Sequence, residues 1–169
     1  MPAPRQAGFL MEQDMAFDLV LKGGHLIDPK NGIDEPMDIG VAGNKIAAVD
    51  ADLPTEEVGK VVDVSGLYVT PGLVDIHMHA YATAGHRDQW AGDNSILPDG
   101  FSFRTGVTTM VDTGSAGWRN FEDFRQRVID RCQTRLFALV NIAGTGMTGI
   151  EHEQNPHDMD TDKTAAVAR

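Results

Sequence analysis

The sequence predicts an α/β protein: a small antiparallel β unit, then the first three or so βα units of a parallel (β/α)8 TIM-like barrel, truncated before closure. Three observations carry this. Short strands punctuated by Gly and Asn run to about residue 70. Past Pro71-Gly72 the pattern changes to buried strands separated by crossovers. A His-x-His pair closes the first of those strands.

Residues 1–16 carry one Arg and two acids and no apolar run of signal-peptide length, so they read as a disordered N-terminal extension. Residues 17–70 form the β unit. Strand patterns occur at residues 18–22 and 25–28 around Gly23-Gly24, at 38–42 and 45–49 around Gly43-Asn44, and at 61–64 and 67–69 around Ser65-Gly66. Residues 71–169 form the partial barrel. Residues 73–79 read as a buried strand, 80–99 as a loop and 101–105 as a short helix. A second strand follows at 107–112. Asn120 is placed to cap a helix whose one face carries Phe121, Phe124, Val128 and Cys132. A third strand spans 136–143, and another helix starts at Thr161. At roughly 30 residues per βα unit, this segment holds about three of eight. The three strands are expected to pair in parallel, in chain order.

The formal net charge of −11 makes nucleic acid and anionic membranes poor partners. The single cysteine, Cys132, excludes an internal disulfide framework and suggests a reducing, cytoplasmic setting. No apolar run is long enough to span a bilayer.

The chemistry concentrates at Asp75-Ile76-His77-Met78-His79. Alternation along a strand puts Asp75, His77 and His79 on one face, and Val74, Ile76 and Met78 on the other, which would pack on the barrel helices. Two imidazoles at the C-terminal end of a parallel strand stand on the catalytic face of such a barrel. Together they can bind a divalent metal that activates water and polarises a carbonyl. Asp75 is a candidate for orienting a ligand.

The run Pro71-Gly72-Leu73-Val74-Asp75-Ile76-His77-Met78-His79 resembles the first barrel strand of the amidohydrolase superfamily. Residues 21–28 and 43–46 resemble its N-terminal β-sandwich segment, and residues 106–112 its second strand. Residues 92–95, 98–106 and 114–121 are similar to the amidohydrolase/deacetylase branch beside the dihydroorotases. The resemblance implies a metal-dependent hydrolase that cleaves an amide or ester bond of a small acylated metabolite. It implies Zn²⁺, as one or two divalent ions, with His77 and His79 as ligands of one. The bridging lysine, the further histidines and the basic aspartate of such a site are expected beyond residue 169. No catalytic residue is therefore assigned here, and weak metal binding and an inactive isolated chain are expected. The resemblance leaves room for a homo-oligomer. The alternatives are a dihydroorotase- or hydantoinase-like cyclic amidohydrolase, or a non-catalytic remnant.

Other polar residues weigh less. His86 reads as a solvated loop residue, and Asp112 and Ser115 as packing or turn residues at the end of the second strand. His152 and His157 fall in an acidic loop, and Lys163 lies in the last helix, where no bridging role is carried onto it.

Overall fold

The computed structural model describes residues 17–169; the expected disordered extension, residues 1–16, lies outside the described residues. The chain divides between Pro71 and Gly72 into two compact units.

In the first unit, β1 (Leu19–Asp28), β2 (Ile33–Ala42), β3 (Lys45–Asp50), β4 (Val61–Asp63) and β5 (Tyr68–Val69) share one sheet. Its order is β3-β2-β1-β4, with β5 also on β1. β1 passes through Gly23-Gly24 as one strand, because the register shift there is a bulge that bends the strand without ending it. Gly23 takes a φ of 77°, which a side chain would strain. The expected antiparallel unit is corrected to a mixed sheet. β1–β2 and β2–β3 are antiparallel, but β4 and β5 run parallel to β1. Alternation reveals strands, whereas direction depends on how residues 51–60 carry the chain back. Buried Asp38 fastens that return: it accepts from Lys22 Nζ at 2.6 Å, Gly23 N at 2.8 Å and Leu53 N at 2.9 Å. Burial works against its ionisation. The hydrogen bonds from Lys22, Gly23 and Leu53 outweigh it and hold the carboxyl below its ordinary range.

In the second unit, β6 (Leu73–Met78), β7 (Val107–Asp112) and β8 (Arg135–Ala138) form a sheet in that order, with both pairings parallel. This is the pairing expected of consecutive βα units. The crossover helix α1 (Pro98–Thr105) begins at a proline that needs no intrahelical N–H partner. It ends at Gly106, whose φ of 74° suits a C-terminal cap. Asp99 on α1 accepts from Gln133 N, Thr134 N and Thr134 Oγ1, which ties the helix to the start of β8.

The second crossover starts as α2 (Phe121–Phe124) and continues as a π-turn over Arg125–Ile129. Phe124 and Val128 are buried, and Phe121 packs against them, as their spacing predicts. Tyr81 stacks on Phe124 with ring centres 5.0 Å apart and donates to Asp123 at 2.5 Å. Burial, then this carboxylate, pushes the Tyr81 phenol far above its ordinary pKa, so it remains a donor. Asn120 occupies the cap position but turns its side chain away from the helix. It accepts from Gly117 N at 2.9 Å and donates to Thr145 O at 3.0 Å. Helices α3 (Ile150–Glu153) and α4 (Thr161–Val167) follow, the latter capped by Asp160 accepting from Lys163 N.

Two expectations about these strands change. The third strand ends at Ala138 rather than residue 143. Beyond it, Leu139 N still donates to Asp112 O and Asn141 N to Ala116 O, so the chain follows the loop after β7 instead of a ladder. Met78 is buried as expected, but Val74 and Ile76 are 56% and 74% exposed. Helix α1 packs on β7 instead, and the β6–β7 register shifts between Asp75 and Met78.

Candidate metal centre

The three parallel strands bring their C-terminal ends to one edge, where His77 and His79, Asp112 and Ser115, and Asn141 emerge. His77 is exposed and His79 half-buried. Their ring centres lie 5.7 Å apart with planes at 80°. With metal–nitrogen bonds near 2 Å, two imidazoles on one tetrahedral ion have centres roughly 5–6 Å apart. The pair meets that spacing. Both line a cavity of about 410 Å³ with Trp90, Asn94, Ile96 and Met147.

His79 is held from behind. Its Nδ1 lies 3.0 Å from the buried hydroxyl of Ser115. With Nδ1–H donating to that oxygen, the Nε2 lone pair is left for a metal. Asp112, fully buried, sets this contact. Its Oδ1 accepts from Ser115 N at 2.8 Å and Gly114 N at 3.1 Å, and its Oδ2 from Ala80 N at 2.7 Å. One carboxylate thus fixes both the residue after His79 and the residue that meets its ring. Burial depresses the His79 pKa; the charge of Asp112 opposes this, and His77 adds to it. The result favours neutral imidazole, the form that binds metal.

Asp75 is half-buried and accepts from His77 N at 3.0 Å, so the contact it makes is with the backbone of His77. The other weighed residues fall elsewhere. His86 is exposed in the loop after β6. His152 lines a separate cavity with Gln89 and Glu151, and His157 is exposed. Lys163 pairs with Asp160 at 2.8 Å and lies over Trp118. Among the described residues, no group of three or more His, Cys, Asp or Glu side chains converges for a metal. The histidine pair is therefore a fitting but partial ligand set. Sequence reasoning missed Trp90 and Met147 as walls and gave Ser115 only a packing or turn role. A lone tryptophan in a loop of small and polar residues was the available signal; Met147 gave none.

A parallel β-sheet with paired histidines at its C-terminal edge defines the class: an α/β fold that carries its chemistry beyond the strand ends. The comparisons narrow it. A deacetylase of Agrobacterium fabrum is 34% identical over 132 residues, covering 75% of this chain and 30% of that protein. A dihydroorotase of Trichlorobacter lovleyi is 40% identical over 101 residues, 59% of this chain and 23% of that one. A crystal structure of an adenine deaminase superposes with a TM-score of 0.71 at 25% identity, over 89% of this chain and 37% of its own. That of a dihydroorotase gives 0.70 at 29%, over 88% and 38%. No protein-family model matches. The chain belongs to the amidohydrolase superfamily, and it spans about 30% of the length of the deacetylase it matches.

Proposed function

We propose that this chain contributes the first metal-ligand strand of a metal-dependent amidohydrolase, a deacetylase acting on a small acylated metabolite. The observation that carries this reading is the His77/His79 pair at the end of β6, spaced for one ion and opening on a cavity. Choice of a deacetylase rests on the extent of similarity. Three deacetylases align over 70–79% of the chain, the dihydroorotases over 37–59%. The dihydroorotase structure supports a second reading, a cyclic amidohydrolase.

In this proposal His77 and His79 hold a divalent ion, Zn²⁺ by the chemistry of two imidazoles. When bound, such an ion lowers the pKa of water and polarises an acyl carbonyl. The chain's own residues do the rest. Ser115 fixes the His79 tautomer, Asp112 fixes Ser115, and Asp75 steadies the backbone of His77. With two donors at the centre, the 169-residue chain should retain well under one metal ion after dialysis and turn over no acyl ester or amide. Elemental analysis and an acyl-substrate panel check both.

The function itself is tested by grafting residues 17–169 in place of the matching segment of the Agrobacterium fabrum deacetylase. The folded chimera should deacetylate in a metal-dependent way, and His77→Ala/His79→Ala should abolish this. A folded, metal-loaded chimera without turnover, or turnover indifferent to the double substitution, contradicts the reading.

A further inference from the structure

The cavity beside the histidines has a wall that metal binding does not use. Trp90 is 49% exposed, yet its ring lies against His79, with centres 5.1 Å apart and planes at 33°. Ile96 and Met147 continue the same wall, and Asn94 is its neutral polar side chain. Together they make a contiguous apolar face with one polar group beside the histidines, the make-up of a small-molecule pocket.

This wall is built rather than draped. Ile96 N donates to His79 O at 2.9 Å, which pins the wall to the histidine strand itself. Ala91 N donates to Met147 O at 3.1 Å, and Met147 N to Ser115 O at 3.1 Å, linking Trp90's loop through Met147 to the loop after β7. Within that loop, Asn94 N donates to Gln89 O at 3.1 Å and Gly92 N to Ser95 Oγ at 3.1 Å. Gly92 leaves no space for a side chain, since an added Cβ would sit 1.9 Å from His86 O. Each wall residue is thereby held at a set position relative to His79. A preformed apolar surface costs little ordering when a ligand covers it.

Resting on the metal-dependent amidohydrolase reading above, we infer that Trp90, Ile96 and Met147 form a subsite for a flat, apolar acyl group larger than acetyl, placed so that its carbonyl faces His77 and His79. An acetyl methyl covers only a fraction of such a wall. A benzoyl-sized ring covers the exposed face of Trp90 while its carbonyl stays turned to His77 and His79. The apolar surface removed from water by the larger group corresponds to roughly a tenfold gain in affinity or more.

The test is calorimetric titration of the full chain with N-benzoylglycine and N-acetylglycine, each with and without saturating Zn²⁺. N-benzoylglycine should bind at least tenfold tighter. Trp90→Ala should erase that preference, whereas Trp90→Phe, which keeps a flat ring, should retain most of it. Equal affinities, no measurable binding of N-benzoylglycine, or a preference that survives in Trp90→Ala overturns the subsite. The metal reading fails separately: affinities of both ligands that saturating Zn²⁺ leaves unchanged keep the subsite and count against an ion at His77 and His79.

Discussion

Two buried aspartates, one in each unit, do the same job with different partners. Asp38 and Asp112 each accept three short hydrogen bonds where the chain turns away from a strand. Asp38 faces a cation, Lys22, which also pairs with Asp52 at 2.6 Å. Asp112 receives only backbone amides, and no ion pair reaches it among the described residues. The first charge is neutralised where it stands and acts as a fastening. The second stays uncompensated one residue layer from His79, whose basicity it raises against burial. A fixed negative charge there favours a cation at the histidine pair. One carboxylate therefore only closes a structure, while the other closes a structure and also acts on the His79 ring.

The largest expected effect is from Asp112→Ala. It orphans three buried amides at about 1–3 kcal/mol each, for a loss of roughly 3–9 kcal/mol. Asp38→Ala orphans two amides and leaves Lys22 with Asp52, and should cost about 2–6 kcal/mol. Urea unfolding of the two variants checks the order; a larger loss for Asp38→Ala would break the comparison.

Acid should sharpen it. His79 is held below its ordinary value of 6.5, so its contribution is fully present above that pH and is lost as pH falls through the folded-state value. Asp38 is held below the carboxylate value of 3.8, so its contribution is lost only at more acidic pH. Unfolding followed by a probe in each unit should show the second unit weakening first, and His79→Gln should remove that early component. Simultaneous weakening that His79→Gln leaves unchanged would contradict the separation.

A smaller effect is expected from Ser115→Ala. Removing the group behind a metal-binding imidazole typically costs about tenfold or more in metal affinity. Because two histidines bind weakly to begin with, competition against a chelating dye is the suitable measurement. Unchanged affinity would mean that Ser115 only packs.

The parallel order β6-β7-β8 and the Phe124/Val128 face were legible because strand and helix periods are local. The nearness of His77 and His79 at a strand end was legible because a single residue separates them. The parallel placement of β4 and β5 was not, since direction is set by the connection rather than by alternation. Ser115 lies 36 positions from His79, and only the Asp112 turn brings them together. Trp90 and Met147 are brought to one cavity by a bond between loops, from Ala91 N to Met147 O, which leaves no pattern in composition or spacing. Asn120 shows a related limit: its residue type suits a helix cap, but the Gly117 amide and the Thr145 carbonyl claim its side chain.

The central claim is that His77 and His79 bind one ion together, and paramagnetic Co²⁺ tests it most directly. Cobalt titrated into the ¹⁵N-labelled chain should broaden the amides of residues 75–79 and 112–115 and the Trp90 indole N–H. The His77→Ala/His79→Ala chain should show none of this broadening. Broadening centred on His86, His152 or His157, or unchanged in the double variant, would place the metal elsewhere and contradict the account.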